Sequence, residues 1–270
     1  MATDLLRYGT TALVTGASSG IGAAFCREIA KQGFSTIVAV ARRGDRLESL
    51  QQEIQAVTQS KVIPIILDLE KPFSADELLV RTHELGLSID LVVNNAGFGL
   101  LGALETVDRA RLLGMVDLNC RAVVDVAAQY LPGMKERRRG AMIITSSVVG
   151  AVPAPWFSVY AATKSFDLYF GEALHAECLG SGVDVLTVLP GLTRTEFHAG
   201  AGLREYHSPY RSAEHVVQSS FRALGKKAIV VDGIFNKLLV HGSRLLPRNI
   251  LLAISRFVMK TELEVPSTRS

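Results

Sequence analysis

Tyr160 and Lys164 lie four positions apart in a stretch, 159–179, whose apolar spacing predicts a helix. Residues four apart share one helix face, one turn from each other. A phenol ionises near a pH of about 10, and a neighbouring ammonium lowers that pKa by favouring the phenolate. The pair therefore predicts a general acid or base that works near neutral pH. Taken separately, a packing aromatic and a solvated cation explain the same two residues.

Ser147 comes directly after the apolar run Met142–Ser146, which is predicted to be a strand. The carboxyl ends of parallel strands face the crevice in which α/β sheets bind ligands. A hydroxyl in that position is suited to hydrogen-bond a substrate oxygen as negative charge develops on it.

A glycine-rich turn, Thr15–Gly22 (TGASSGIG), joins the first predicted strand to the first predicted helix. Its glycines at 16, 20 and 22 allow tight curvature and a close backbone approach to a ligand. The helix that follows offers free N–H groups and a positive dipole end to a pyrophosphate. The spacing is G-x-x-x-G-x-G, so it differs from the common G-x-G-x-x-G.

Arg42 and Arg43 follow the second predicted strand, and no acid lies between Phe34 and Gly44. In dinucleotide folds an acid at this place binds the 2′-hydroxyl of NAD, whereas an arginine suits the 2′-phosphate of NADP. The sequence therefore favours NADP(H). The alternative is that both arginines are surface residues that open a helix.

Short apolar runs alternate with helical patterns along the chain. The predicted strands are Thr10–Thr15, Thr36–Val40, Val62–Leu67, Ile89–Val93, Met142–Ser146, Val183–Leu189 and Ala228–Val231. One long helix is predicted over Leu104–Leu131, closed by Pro132 and Gly133. This alternation predicts an α/β fold: a single-domain, doubly wound parallel sheet of about seven strands, of the Rossmann type. We expect a catalytic domain over 1–232 and a helical extension over 233–270.

These motifs together resemble the short-chain dehydrogenase/reductase family over residues 8–232. The motifs that carry the resemblance are TGASSGIG at 15–22, Asp68-Leu69, Asn94-Asn95-Ala96-Gly97, Asn119, Ser147, Tyr160 with Lys164, and Pro190-Gly191-Leu192-Thr193-Arg194-Thr195. The resemblance implies hydride transfer between NADP(H) and a carbonyl or alcohol, with Tyr160 as the acid or base.

The resemblance also implies a role for each site residue. Ser147 would hold the substrate oxygen, Lys164 would lower the Tyr160 pKa and bind the nicotinamide ribose, and Asn119 would hold a water of a proton relay. The implied dinucleotide contacts are Gly16, Ser18, Ser19, Gly20, Ile21, Gly22, Arg42, Arg43, Asp68, Leu69, Asn95, Ala96, Gly97, Tyr160, Lys164, Pro190, Gly191, Thr193 and Thr195. Asp68 and Leu69 would bind the adenine, and the last four residues would bind the nicotinamide.

Composition excludes several other classes of protein. The net charge of +3 is too small to indicate nucleic-acid binding, and the 48% of hydrophobic residues excludes a disordered chain. The three cysteines show neither metal spacing nor a disulfide framework, which favours a reducing, cytoplasmic compartment and no metal. The start of the chain has no pattern typical of a signal peptide.

Two loops are predicted to select the substrate: 148–157 and 196–211, which are rich in proline and aromatic residues. Their composition favours a lipophilic carbonyl compound. His198 and His207 in the second loop are predicted to be surface residues. The two long helices, 104–131 and 159–179, are those through which the family usually forms oligomers, so we expect a homo-oligomer.

Residues 233–260 carry two apolar helical stripes, one through Phe235 and Leu238 and one through Ile250 and Phe257. Five basic residues and no acid lie between Lys237 and Lys260. One interpretation is a helical pair that packs on the domain or covers the substrate cleft. The other is peripheral contact with an anionic membrane surface.

The main functional hypothesis is an NADP(H)-dependent oxidoreductase. The alternative is a non-catalytic NADP(H)-binding sensor or regulatory module on the same fold. The presence of Asn119, Ser147, Tyr160 and Lys164 favours the enzyme, because a sensor would need only the phosphate turn. A nucleotide-sugar epimerase or dehydratase is disfavoured by the glycine spacing.

Overall fold

A computed structural model describes residues 4–203 and 211–263, with side chains up to residue 260. One parallel sheet runs through these residues in the order β3-β2-β1-β4-β5-β6-β7. Its strands are β1 (Thr11–Thr15), β2 (Thr36–Ala41), β3 (Lys61–Ile66), β4 (Leu91–Asn94), β5 (Gly140–Thr145), β6 (Val183–Leu189) and β7 (Ile229–Val231). The order reverses between β1 and β4, which confirms the predicted doubly wound fold.

Helices cover both faces of the sheet. They are α1 (Gly20–Lys31), α2 (Gly44–Val57), α3 (Ser74–Glu84), α4 (Arg109–Val116), α5 (Ala122–Glu136), α6 (Ser158–Glu177), α7 (Phe197–Ala201), α8 (Ala213–Ala223), α9 (Ile234–Ser243) and α10 (Arg248–Leu263). Short 3₁₀ turns span Leu5–Tyr8 and Val148–Ala151, and a π-helical turn spans Asp117–Arg121.

The core has two layers because both faces of the strands are apolar. On one face, Phe25 and Ile29 of α1 pack in the same cluster as Val14 of β1. On the other face, Val126 of α5 packs in the same cluster as Val92 of β4. Pro64 lies within β3 without disrupting the sheet, because β3 is an edge strand and has a neighbour on one side only.

The prediction of one continuous helix over 104–131 is wrong in its extent. Helix α4 begins only at Arg109, where the Asp108 carboxylate accepts a hydrogen bond from the Arg111 N–H at 2.9 Å. The π-helical turn then separates α4 from α5, and α5 runs through Pro132 to Glu136. Proline forfeits one helical hydrogen bond, and the burial of Tyr130 and Met134 on either side of Pro132 holds this part of the helix in place.

Both apolar stripes at the carboxyl end form helices, α9 and α10. Val240 of α9 is buried in a cluster with Val148 and Leu189. Leu251 is the buried apolar anchor of α10. Within residues 4–203 and 211–263, no helix is both long and apolar enough to traverse a bilayer.

Candidate active site

The residues predicted to do the chemistry come together at the carboxyl edge of β5. Ser147 lies two residues beyond this strand, and Tyr160 and Lys164 lie on α6, which packs against it. The Ser146 hydroxyl donates to the Lys164 carbonyl oxygen at 2.6 Å, and the Lys164 ammonium donates to the Thr145 carbonyl oxygen at 2.8 Å. These two bonds fix the first turns of α6 against the end of the strand.

Tyr160 is buried, and the Ser147 hydroxyl is one of the polar groups that act on its phenol. Burial raises the pKa of Tyr160 above its ordinary value, because the phenolate would lose its hydration. The Lys164 charge and the Ser147 hydroxyl both act in the opposite direction. The expectation of a lowered pKa therefore identifies a real effect of Lys164, but burial outweighs it in this structure, and the phenol retains its proton.

Lys164 is equally buried and pairs with a second buried charge. Its ammonium nitrogen lies 2.8 Å from the Asp167 carboxylate, and Asp167 has no exposed surface. Burial is the largest single influence and alone would lower the pKa of Lys164, but Asp167, Tyr160 and Cys120 together more than offset it, and Asp167 contributes the most among them. Lys164 is therefore held as an ammonium.

Asn119 lies in the π-helical turn, a type of distortion that is frequent at functional sites. Its side-chain oxygen accepts from the Phe98 N–H at 3.1 Å, and its amide nitrogen donates to the Phe98 carbonyl at 2.9 Å and to the Thr163 hydroxyl at 3.0 Å. The side chain thus braces the chain after β4 against α6. These bonds occupy both side-chain donors, so a relay water would bind Asn119 at an acceptor, which is either the second lone pair of its side-chain oxygen or its main-chain carbonyl.

The glycine-rich turn is packed too tightly for larger residues. A Cβ on Gly22 would lie 2.2 Å from the Gly16 carbonyl oxygen, and one on Gly16 would lie 2.9 Å from the Ala96 Cα. Gly16 and Gly20 also have φ angles of 67° and 54°, which favour glycine. The Asn95 amide donates to the Thr15 carbonyl at 3.1 Å, which ties the ends of β1 and β4 together below the turn.

A cavity of about 300 Å³ opens beside this turn. It is lined by Gly16, Ser18, Ser19, Val40, Ala41, Arg42, Arg43, Leu67, Asp68, Leu69, Ala96, Gly97 and Leu118. The cavity thus brings together the phosphate turn, both arginines and the Asp68-Leu69 pair. Helix α1 begins directly after the turn, and its N-cap residue Ser19 forms no side-chain hydrogen bond with the first N–H groups of the helix in the part of the chain that the structure describes. Those N–H groups are therefore available to a phosphate. The cradle, the helix start and the arginines fit a phosphorylated dinucleotide.

The two arginines differ in their partners. Arg43 donates to the Ser18 hydroxyl at 3.1 Å and to the Ser19 hydroxyl at 2.7 Å, so its guanidinium lies directly at the phosphate turn. Arg42 pairs with Glu70 at 2.7 Å. Glu196, from the second predicted substrate loop, pairs with Arg43 at 2.9 Å.

The Pro190–Thr195 segment closes the opposite side of the crevice. The Pro190 carbonyl accepts from the Val148 N–H at 3.0 Å, and the Thr193 hydroxyl donates to the Gly191 carbonyl at 3.0 Å. Thr195 lies against the phosphate turn, since a Cβ on Gly20 would be 3.0 Å from its side chain. Helix α9 covers this segment, because a Cβ on Gly191 would lie 2.1 Å from the amide nitrogen of Asn236.

Apolar side chains surround the Tyr160 ring. The ring centroids of Phe157 and Phe197 lie 4.4 Å and 5.3 Å from that of Tyr160. Met259 of α10 packs against the same cluster. Both predicted substrate loops and the last helix therefore contribute to one apolar wall beside the phenol.

The prediction that His198 is a surface residue is wrong, because its side chain is buried in α7 and its ring meets Phe197 edge-on at 6.1 Å. The sequence signal that was overlooked is the helical pattern of Phe197–Ala201, which turns one side of this loop inward. Tyr206, His207 and Tyr210 of the same loop lie outside the described residues.

Three acids at the site were missed in the sequence. Asp167 lies three positions after Lys164, a spacing that places both on one face of α6. Asp232 is buried and holds Arg211 through two bonds of 2.8 Å and 2.9 Å, which anchors the far end of the substrate loop. The pairing of Glu196 with Arg43 spans 153 positions, and no local pattern indicates it.

The chain is similar to known proteins over most of its length. The family model for short chain dehydrogenases matches residues 10–205. The chain is 31% identical over 248 residues to the very-long-chain 3-oxoacyl-CoA reductase of Mus musculus, covering 90% of this chain and 77% of that protein. It is 30% identical over 253 residues to the 7beta-hydroxysteroid dehydrogenase of Clostridium sardiniense, covering 92% of this chain and 94% of that protein.

Solved structures share the whole architecture. A 7beta-hydroxysteroid dehydrogenase superimposes with a TM-score of 0.84 at 28% identity, covering 94% of this chain and 99% of that chain. A short-chain dehydrogenase from Sphingobium yanoikuyae in complex with NADPH gives a TM-score of 0.78 at 27% identity, covering 96% of this chain and 98% of that chain.

Proposed function

The chain belongs to the short-chain dehydrogenase family, and on that premise we propose that it reduces a lipophilic carbonyl compound with NADPH, or oxidises the corresponding secondary alcohol with NADP⁺. The observation that carries the proposal is the burial of Tyr160, Ser147 and Lys164 together at the strand edge that also forms the phosphate cradle. A protein that only sensed the dinucleotide would not need a buried phenol and ammonium beside it.

We assign the chemical roles as follows. Ser147 hydrogen-bonds the carbonyl oxygen and orients it toward the Tyr160 hydroxyl. Tyr160 donates its proton to that oxygen during reduction and takes it back during oxidation. Lys164 stabilises the phenolate that remains and binds the nicotinamide ribose. When bound, the reduced nicotinamide supplies the hydride to the carbonyl carbon.

The binding roles are those that the resemblance to the family implies, and the cavity that joins the phosphate turn, the two arginines and the Asp68-Leu69 pair supports them. The phosphate turn holds the pyrophosphate, through Gly16, Ser18, Ser19, Gly20, Ile21 and Gly22. Arg43 and Arg42 hold the 2′-phosphate, and Asp68 and Leu69 hold the adenine. Asn95, Ala96 and Gly97 form the floor beside the adenosine ribose, and Pro190, Gly191, Thr193 and Thr195 hold the nicotinamide.

The protonation state of the phenol is compatible with reduction. Burial raises the pKa of Tyr160, so the phenol carries the proton that a carbonyl oxygen would receive at neutral pH. The apolar wall of Phe157, Phe197 and Met259 supports a lipophilic substrate. The similar proteins named for 3-oxoacyl-CoA reduction and hydroxysteroid oxidation also act on compounds with large apolar parts.

We propose that residues 233–260 form a membrane-contacting extension of the catalytic domain, 1–232. Phe235, Leu245 and Phe257 are 80%, 85% and 75% exposed, so the helices direct much of their apolar surface outward even though Val240 and Leu251 anchor them. All five basic residues of this segment are exposed as well. Apolar side chains flanked by cations match the interface of an anionic lipid surface.

The remaining assignments concern assembly and compartment. Exposed apolar residues on α4 (Leu113 and Val116) and on α6 (Phe166 and Tyr169) support a homo-oligomer that pairs these helices with a second copy. The three cysteines are free thiols, which supports the cytoplasm, with the membrane contact made from that side.

The test is NADPH oxidation measured by absorbance with a panel of medium- and long-chain ketones, aldehydes and steroid ketones. We expect turnover with a subset of the lipophilic ketones and much less with NADH. Tight NADPH binding without turnover across the panel would instead support the sensor.

A further inference from the structure

A buried acid accompanies the proposed reacting groups on the same helix. Asp167 is fully buried on α6, one turn beyond Lys164 and two turns beyond Tyr160. Its Oδ2 atom accepts a hydrogen bond of 2.8 Å from the Lys164 ammonium. The roles assigned above to Tyr160, Lys164, Ser147 and Asn119 make no use of it.

The Lys164 ammonium is surrounded by groups from α6, β5 and the π-helical turn. On α6 it faces Tyr160 and Asp167. From β5 the Thr145 carbonyl accepts its second hydrogen bond, and from the π-helical turn the Cys120 thiol acts on its pKa. Burial raises the pKa of the Cys120 thiol to about 11, so this group is neutral near pH 7. Asp167 is therefore the group that balances the ammonium charge.

Packing alone does not explain an acid at this position. Asp167 Oδ1 has no hydrogen-bond partner among the described residues, and the same holds for the hydroxyl of Thr187, which faces α6 one turn further along. A buried carboxylate with an unsatisfied oxygen is unfavourable, but an apolar side chain in its place would leave the buried Lys164 ammonium without a counter-charge. The carboxylate therefore serves the ammonium and does more than fill space.

An ammonium whose charge is balanced by an anion lowers the pKa of a neighbouring phenol less than a lone ammonium does. A nearby cation favours the phenolate, and an anion 2.8 Å from that cation cancels part of its field at the phenol. The effects of the two charges on the pKa of Tyr160 have the signs that this predicts, because Lys164 lowers that pKa and Asp167 raises it.

We propose that Asp167 is a positioning residue that fixes the Lys164 ammonium and balances its charge, so that Tyr160 keeps the proton that carbonyl reduction requires up to a higher pH. This proposal rests on the proposed function of Tyr160 as the proton donor. It adds a determinant of the alkaline limit of the working pH range.

The test compares the wild type with Asp167→Asn, which keeps the shape and removes the charge. The first readout is the alkaline titration of Tyr160 in the protein without nucleotide, followed by tyrosinate absorbance. The signal of Tyr160 is isolated by subtracting the titration of Tyr160→Phe, made in both backgrounds. We expect Tyr160 in Asp167→Asn to titrate about one pH unit lower than in the wild type.

The second readout is the pH profile of NADPH-dependent ketone reduction. The basic limb of kcat should move to lower pH in Asp167→Asn by a similar amount, while kcat well below that limb is largely retained. Asp167→Glu, which restores the charge, should move the limb back toward the wild-type position. If Asp167→Asn does not fold, the same result is expected for Asp167→Ser, because its smaller side chain also removes the charge and leaves room for a water in place of the carboxylate.

A titration of Tyr160 that is unchanged or moves to higher pH would overturn the proposal. A uniform loss of kcat at every pH, with lower thermal stability and no shift of the limb, would also overturn it and leave Asp167 a packing residue only. Failure of the proposed function is distinguishable, because it would appear as full turnover by Tyr160→Phe, whereas the absorbance titration needs no turnover.

Discussion

The nucleotide cradle and the C-terminal helix pair meet their surroundings in opposite ways. In the cradle, the ends of β1, β2 and β4 present glycines, hydroxyls and arginines around one cavity, and the side chains of Arg42, Arg43 and Asn95 are each held by a neighbour. The helices α9 and α10 instead leave large apolar residues such as Phe235 and Phe257 exposed. The cradle is therefore built from groups that hold one another, whereas the helix pair offers apolar surface that the described residues do not cover.

This difference separates two kinds of recognition in one chain. Directional polar groups on rigid strand ends select a particular charged ligand, and a change to one group there affects one contact. A broad apolar face with scattered cations makes no such directional contacts. Its affinity for a lipid surface would grow with its apolar area and its positive charge. The active site lies between the two, since Met259 of α10 reaches the Tyr160 cluster.

The largest expected effect is at the reacting groups. Replacing Tyr160 by Phe removes the proton donor and keeps the ring between Phe157 and Phe197, so kcat for ketone reduction should fall by about 100- to 10,000-fold. NADPH affinity, measured by fluorescence titration, should be retained. The matched control is Tyr169→Phe on the exposed side of the same helix, which should turn over normally. Equal activity of both variants would show that the phenol is not the acid.

The cradle is tested by its arginine. Arg43→Ala removes charge-assisted bonds to the 2′-phosphate, and NADPH affinity should fall by about 10- to 100-fold. NADH affinity should change little, so the ratio of the two dissociation constants is the informative quantity. Arg81→Ala, which removes a similarly exposed arginine of α3, serves as the control. A parallel loss for both dinucleotides would remove Arg43 from 2′-phosphate recognition.

The helix pair is tested on vesicles. The double variant Phe235→Glu and Phe257→Glu removes two exposed apolar anchors, and sedimentation with phosphatidylserine-containing vesicles should weaken by about 10-fold or more. Higher salt should weaken binding of the wild type as well, because surface charges are screened. Leu179→Glu, at an exposed position at the end of α6, is the control and should bind as the wild type does.

Two results would contradict the membrane assignment. One is vesicle binding by the double variant that equals that of the wild type. The other is a wild type that ignores vesicles but self-associates through this face, which sedimentation velocity would reveal as a loss of oligomer in the double variant. That outcome would make α9 and α10 an interface between two copies.

The smallest expected effect concerns the link between cradle and substrate loop. Glu196 pairs with Arg43 at 2.9 Å and with Arg46 at 3.1 Å, so it competes with a phosphate for Arg43. Because the pairs are about half exposed, Glu196→Gln should tighten NADPH binding by only about 2- to 5-fold. Glu53→Gln, which breaks a comparable pair with Arg27, should leave NADPH binding unchanged. Weaker NADPH binding by Glu196→Gln would show that the carboxylate supports the site.

The same contrast explains what could be predicted from the sequence. Strand and helix order, the phosphate turn and the Tyr160–Lys164 face follow from periodicity and local spacing, and the structure places them as expected. The exact extent of the helix around Asn119 does not, because a π-helical turn depends on tertiary contacts such as the brace to Phe98. The net direction of the Tyr160 pKa also depends on burial, which only the packed structure supplies.

Ion pairs between distant segments are the other feature that local sequence patterns do not predict. Arg211 with Asp232 and Glu196 with Arg43 join segments that only the folded chain brings together. The apolar stripes of α9 and α10 predict helices correctly, but whether such a stripe faces inward or outward is a property of the whole molecule.

The central claim is that Tyr160 and Ser147 together hold the oxygen that is reduced. The most direct measurement is a crystal structure of the protein with NADP⁺ and an unreactive analogue of a ketone that the panel identifies as a substrate. We predict that the analogue's oxygen lies within about 3.2 Å of both the Tyr160 and Ser147 hydroxyl oxygens, beside the nicotinamide. An oxygen bound by other residues, with the Tyr160 hydroxyl turned away from the nicotinamide, would contradict the account.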